Sequence, residues 1–284
     1  MKILIVGASG MLGSTVLRVI SENKNWEVFG TIRTQSVRHF FPAAIAEKLV
    51  NGVDVVNQDS LMKVLDTIRP NVVINCAGLT KHKRETDDPL ISLPINTLMP
   101  HRLAGLCKLI GARLVHISTD CVFSGEKGGY TETDFADARD TYGKSKVMGE
   151  MYYPNTITLR TSLIGHELQS KLGLLEWFLS QEGSCKGYTR AVFSGLPTVI
   201  FAQLIRDVVI PNFELSGLYH IAAKPINKFE LLKMISSVYG KSIKIVADDM
   251  MVIDRSLDAT RFSEATGYVT PEWKDMIKLM YTYK

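Results

Sequence analysis

The sequence lacks any long hydrophobic run. Its opening apolar stretch, Ile3 to Val6, is far too short for a secretion signal or a membrane span, and no later stretch reaches the about 18 apolar residues a spanning helix needs. The expectation is a protein that stays in the cytoplasm and has no membrane partner. Cysteine is scarce: Cys76, Cys107, Cys121 and Cys185 show neither C-x-x-C nor Cys/His ligand spacing. That suggests no disulfide scaffold and no metal site, and each reads as a small apolar side chain. A surplus of one charge is missing too. The 33 Lys and Arg against 29 Asp and Glu leave a net charge of +4 with no polybasic run, which argues against a nucleic-acid partner. With 46% hydrophobic and 22% charged residues, disorder, collagen-like repeats and coiled coil are excluded.

What the chain does have, over its first half, is a regular alternation of short apolar runs with helical patterns. Ile3–Val6, Glu27–Thr31, Val53–Val56, Val72–Asn75, Leu114–Ser118 and Thr156–Arg160 read as strands. Met11–Glu22, Ser60–Ile68, Thr97–Leu109 and Tyr142–Tyr152 read as helices. Near-continuous Val/Ile strands belong to a parallel sheet covered on both faces, so the fold class is α/β, a doubly wound parallel sheet. Beyond Arg160 the alternation weakens. Gly183, Gly187, Gly195 and Pro197 punctuate the chain, and regular strands are hard to place between them. Helices are expected at Leu172–Leu179, Val199–Val209, Lys228–Tyr239 and Pro271–Tyr281, with a strand at about 218–222 returning to the sheet. The 284 residues thus divide into a sheet domain over 1–160 and a smaller, irregular C-terminal cap over 161–284.

Gly7, Gly10 and Gly13, with Met11 and Leu12 between the last two, form a G-x-x-G-x-x-G turn between the first strand and the first helix. Glycine there allows a tight turn and a close approach to a pyrophosphate, while the helix start supplies N–H groups and positive dipole. Arg33 ends the second strand where NAD-binding chains carry an acidic residue. Its guanidinium suits a 2′-phosphate, which favours NADP over NAD, although a solvated arginine reads the same; Arg38 could serve that phosphate too. Tyr142 and Lys146 stand four apart and share a helical face. A lysine ammonium beside a phenol lowers its pKa, suiting proton donation to a carbonyl oxygen as hydride arrives, with Thr119 holding the same oxygen. Alone, the pair would read as an ordinary amphipathic helix.

Together GASGMLG, NCAG (Asn75 to Gly78), STD and YGKSK, in that order, resemble the extended short-chain dehydrogenase/reductases. STDCVFSG, VDVVNQDS, NVVINCAG, RTSLIG and GLPT are similar to the nucleotide-sugar 4-keto reductases of the dTDP-4-dehydrorhamnose reductase type. The resemblance implies Thr119, Tyr142 and Lys146 as the catalytic set, with Lys146 also on the nicotinamide ribose. It implies Asp54 at the adenine and the Ala77-Gly78 backbone along the cofactor. Its expected activity is NADPH-dependent reduction of a keto group on a nucleotide-activated deoxysugar in polysaccharide biosynthesis. The segment Lys81-His82-Lys83-Arg84-Glu85 is more basic than that group's. Lys83 and Arg84 there are candidates for the substrate diphosphate or the cofactor phosphate, a solvated loop being an equally open reading, and Arg190 and Arg255 in the cap are candidates for the diphosphate. Trp177 and Phe178 read as core rather than base-stacking groups. Two other functions remain open, an epimerase or dehydratase holding NAD tightly and a catalytically silent NADP-binding regulatory subunit. Monomer and homodimer are both open as well.

Overall fold

The structure, a computed structural model, describes residues 1–81 and 84–284, with the backbone alone of Arg84. It divides into two compact units, one built from 1–118, 140–159 and 202–218, the other from 119–139, 160–201 and 219–284.

The first unit carries a seven-stranded sheet. Its strands are β1 (Lys2–Val6), β2 (Glu27–Ile32), β3 (Leu49–Asn51), β4 (Val72–Asn75), β5 (Arg113–Thr119), β6 (Thr156–Thr161) and an edge strand at Gly217–His220. They lie in the order edge strand, β6, β5, β4, β1, β2, β3. In the parallel ladder Ile3 faces Val28 on one side and Val72 on the other. Ile3 to Val6 are almost wholly buried, as expected of a strand covered on both faces. Because the chain leaves β1 towards β2 on one side and later resumes at β4 on the other, the strand order reverses between β1 and β4. In such sheets that reversal opens a crevice at the carboxyl ends, where ligands bind.

The third strand differs from the sequence expectation. It lies at Leu49–Asn51, not Val53–Val56, because Leu49 pairs with Gly30 and fills the space that residue leaves without a side chain. Gly52, at φ +77°, then turns the chain out of the sheet, and Val53–Val56 becomes a loop. The helix expected at Tyr142–Tyr152 stops at Val147, and just beyond it Gly149 packs so closely that a Cβ would lie 2.0 Å from the Asn96 carbonyl oxygen. Pro100, four residues on from Asn96, has no N–H to give to the helix. The turns there widen to a π-helix, Pro94–Leu98, ahead of the α-helix Met99–Leu109. A similar widening over Ile205–Val209 follows the helix Thr198–Leu204. Helix Gln58–Ile68 is capped by Asn57, which accepts from the Ser60 N–H, and packs Leu61, Val64, Leu65 and Ile68 into a core shared with Leu4, Val73, Leu103 and Leu114. At the start of β5, buried Arg113 donates to the carbonyls of Val209 and Leu215, both at 2.6 Å.

In the second unit, strands absent from the sequence reading are present. Ser184–Tyr188 runs parallel to Lys244–Asp248, and Ala191–Phe193 pairs with both Ile226–Asn227 and Ile253–Asp254. Their partners lie about 35 to 60 residues away in sequence, beyond the reach of local periodicity. Helix Lys228–Tyr239 keeps its expected bounds, with Asn227 accepting from the Glu230 N–H at one end and Gly240 at φ +64° at the other. Phe178 is fully buried, whereas Trp177 is 36% exposed.

Candidate active site

The turn after β1 is shaped by contacts that exclude side chains. Gly7 lies at φ +84°, and a Cβ there would come within 2.8 Å of the Ala77 backbone beyond β4. A Cβ on Gly13 would lie 2.1 Å from the Gly7 carbonyl oxygen, so the first helix can seat on the turn only with glycine at that position. Gly10 is different. Its nearest neighbour is 3.6 Å away, so the fold itself does not demand glycine there. The turn is pinned by Gly7 N–H to Thr31 Oγ1 (3.0 Å) and Ala8 N–H to the Thr31 carbonyl (2.9 Å). Helix Met11–Ile20 begins with Gly10 as its N-cap, no capping side chain and no acidic residue in its first turn. Such a start presents N–H groups and positive dipole to an anion. Leu12 is buried in that turn and Met11 half-buried, its carbonyl accepting from Ser14 Oγ and Thr15 Oγ1.

Arg33 is exposed immediately beyond β2. Arg38 instead donates from Nη2 to the Leu49 carbonyl at 2.6 Å, which commits it to holding β3. Asp54, exposed, accepts the Val56 N–H at 3.0 Å in the loop after β3. Beyond β4, Ala77 is half-buried and Gly78 exposed.

Helix Thr141–Val147 carries Tyr142 and Lys146. Lys146 is buried, and its Nζ donates to the Ile117 carbonyl of β5 at 2.8 Å. Burial lowers its pKa to about 8, with Glu150 opposing that shift. Tyr142 is half-buried. Asp140 caps the helix by accepting the Gly143 N–H at 2.7 Å, and its other oxygen accepts from Lys81 Nζ at 2.6 Å. Lys81 thus ties the segment after β4 to the Tyr-Lys helix. Lys83 lies outside the described residues, as does the side chain of Arg84, whose backbone opens a 3₁₀ turn over Arg84–Asp87.

Thr119 ends β5, two residues beyond the carbonyl that receives Lys146, and groups with the second unit. Its hydroxyl donates to Asp120 Oδ1 at 3.2 Å and accepts from the Cys121 N–H at 3.1 Å. Burial raises the Asp120 carboxyl's pKa, against the pull of Arg255 and Lys228. Arg255 lies along the turn after Thr119, Nε donating to the Phe123 carbonyl at 2.9 Å and Nη1 to Cys121 Sγ at 3.8 Å. Arg190 is exposed, between the strands Ser184–Tyr188 and Ala191–Phe193.

Some polar residues around these elements escaped the sequence reading. Asn96, 1% exposed, accepts the Leu79 N–H at 2.9 Å and donates to Ser145 Oγ at 3.1 Å, joining the segment after β4 to the Tyr-Lys helix a second time. Nothing local marks it, since its partners lie 17 and 49 residues away. Asp140 did leave a signal, an acidic N-cap just ahead of the helix. Asn75 accepts the Ala77 N–H through Oδ1, so its amide nitrogen donates to His116 Nδ1 at 3.1 Å. Burial keeps His116 neutral with its hydrogen on Nε2, which finds no acceptor among the described residues.

A reversed parallel sheet, a glycine turn that only a bare backbone can make and an uncapped helix start define a doubly wound α/β protein of the dinucleotide-binding class. A family model described as the RmlD substrate binding domain matches residues 1–283, and the chain belongs to that family. It is 24% identical to dTDP-4-dehydrorhamnose reductase of Aggregatibacter actinomycetemcomitans over 99% of both chains. It is 26% identical to methionine adenosyltransferase 2 subunit beta of Danio rerio over 84% of this chain and 74% of that one. The fold is shared with a crystal structure of dTDP-4-dehydrorhamnose reductase from Bacillus anthracis in complex with NADP, at TM-score 0.81 and 21% identity over 100% and 99% of the two chains. Among the described residues no helix is long and apolar enough to cross a membrane.

Proposed function

We propose that the protein is an NADPH-dependent reductase of a keto group on a nucleotide-activated deoxysugar, of the dTDP-4-dehydrorhamnose reductase type and acting in the cytoplasm. The observation that carries this reading is Lys146, a buried cation one helical turn from Tyr142 and fixed on the Ile117 carbonyl at 2.8 Å. Family membership supports it. A subunit kept only for binding has no physical need of the complete Thr119, Tyr142 and Lys146 set.

The residues fit a dinucleotide. Gly7 and Gly13 form a cradle that a Cβ would fill, the helix start after Gly10 suits a pyrophosphate, and exposed Arg33 suits a 2′-phosphate. Met11 and Leu12 stand in the same first turn, Asp54 would meet the adenine, and the Ala77-Gly78 backbone would line the cofactor. Bound NADPH supplies the hydride. The chain's own residues manage the proton: Tyr142 gives its phenolic hydrogen to the keto oxygen. The Lys146 ammonium stabilises the phenolate left behind and donates to the nicotinamide ribose. Thr119 shares the keto oxygen, which requires its hydroxyl hydrogen to turn away from Asp120 Oδ1.

Following NADPH absorbance with a panel of dTDP-, UDP- and GDP-4-keto sugars tests the reading, which expects oxidation with at least one of them. NAD retained through purification with no net NADPH consumption would make it an epimerase or dehydratase instead. NADPH binding with no turnover of any sugar would favour a silent subunit, the reading to which the methionine adenosyltransferase subunit relative lends weight.

A further inference from the structure

Within the second unit, Lys228 stands out from the other lysines. It is the first residue of helix Lys228–Tyr239 and is only half-buried as a residue, but its ammonium is drawn in over the Phe193 ring, 3.8 Å from the centroid. No side-chain or backbone oxygen of the described residues accepts a hydrogen bond from it. Desolvation accordingly lowers its pKa to about 8, and Asp120 supplies the main opposing attraction. Arg255 faces the same carboxylate, and its Nε and Nη1 are taken by Phe123 and Cys121. Two cations therefore meet one carboxylate, with Cys121 the remaining titratable neighbour of Lys228. One positive charge is left uncompensated beside the turn that bears Thr119. An ammonium held over a ring, with no oxygen of the described residues accepting from it, has its N–H groups open to an anionic ligand.

We propose that Lys228 is a substrate-recognition residue whose ammonium receives an anionic oxygen of the nucleotide sugar beside Thr119 and Asp120. This rests on the nucleotide-sugar reading above. That oxygen belongs either to the diphosphate or to a carboxylate on the sugar; the chemistry Lys228 offers is the same for both, a charge-assisted hydrogen bond in a partly dry site. The Phe193 ring holds the ammonium by cation–π attraction without using its N–H groups directionally, leaving them for the ligand.

The test uses Lys228→Met and Lys228→Arg in the full chain, read by NADPH-coupled kinetics and by calorimetric titration with dTDP and UDP alone. Lys228→Met is expected to raise the KM for the nucleotide sugar by about 10- to 100-fold with a smaller change in kcat. Lys228→Arg is expected to restore most of the loss. If dTDP or UDP binding falls by the same factor, the oxygen is on the diphosphate; if it is unchanged while the sugar nucleotide weakens, the oxygen is on the sugar. KM and nucleotide affinities within twofold of wild type, in a Lys228→Met protein that still binds NADPH, would overturn the proposal. So would Lys228→Arg behaving no better than Lys228→Met, which would assign the lysine a packing role. Failure of the reductase reading shows separately, as wild-type protein oxidising no NADPH with any sugar nucleotide.

Discussion

The three glycines of the β1 turn make separable demands, and substituting them one at a time distinguishes a cofactor cradle from a tight turn. In Gly13→Ala the new methyl would meet the Gly7 carbonyl oxygen at 2.1 Å, so helix and turn must part by about 1 Å to reach ordinary contact. Overpacking of this kind costs about 1–3 kcal/mol, and at about 2–4 °C per kcal/mol for a chain of this size the melting temperature should fall by several degrees. In Gly10→Ala the nearest atom is 3.6 Å away at φ −76°, so neither crowding nor backbone strain arises. Only the weaker N-cap preference of alanine counts, at about 0.5–1 kcal/mol. Gly10→Ala should therefore melt within about 2–3 °C of wild type yet bind NADPH at least about tenfold more weakly, because its methyl stands where a pyrophosphate would approach the helix start. Thermal melts beside fluorescence titration with NADPH measure both quantities. Wild-type NADPH affinity in Gly10→Ala would refute the cradle, and an unperturbed melt in Gly13→Ala would refute the packing argument.

Tyr142→Phe should abolish turnover while leaving NADPH affinity within about twofold, as steady-state kinetics and fluorescence titration would register. Arg33→Asp should reverse the cofactor preference, weakening NADPH and strengthening NADH in parallel titrations, since a carboxylate repels the 2′-phosphate and accepts from ribose hydroxyls. Lys146 carries a pH signature. Its folded pKa, about 8, lies below the unfolded value. Below pH 8 both states hold the proton and the cost of burying the charge is fully present; between about 8 and 10.5 the folded state releases it and that cost recedes. Relative to Lys146→Met, wild-type stability should rise by up to about 1.4 kcal/mol per pH unit in that window, measured by denaturant melts. Turnover should decline over the same range as the ammonium is lost.

The sheet was legible where a strand carries its own signal. Val72–Asn75 and helix Lys228–Tyr239 are bounded by neighbours that declare themselves, continuous β-branched residues in one case and Asn227 with Gly240 in the other. The third strand was misplaced because Val53-Asp54-Val55-Val56 looks more like a strand than Leu49-Val50-Asn51. What decided between them was Gly30, nineteen residues earlier, and the space it leaves for Leu49. In the candidate site the glycine turn and the Tyr142 and Lys146 spacing are local and could be read directly. Asn96 and Lys228 could not. Each matters through groups distant in sequence, Leu79 and Ser145 for one and Phe193 and Asp120 for the other. A polar side chain's burial and partners are properties of the folded chain alone.

Arg113 has a consequence for how the chain is made. Its guanidinium is buried, and the two carbonyls that satisfy it lie 96 and 102 residues later. Residues 202–218 complete the first unit, and their edge strand lies beside β6. A polypeptide emerging from the ribosome therefore cannot finish its first unit when residue 160 appears. Until about residue 218 is free, β6 offers an open edge and Arg113 lacks the carbonyls that receive it, a state exposed to aggregation. A fragment ending at 160 should share that fate permanently, so dissecting this protein calls for point substitutions rather than truncation.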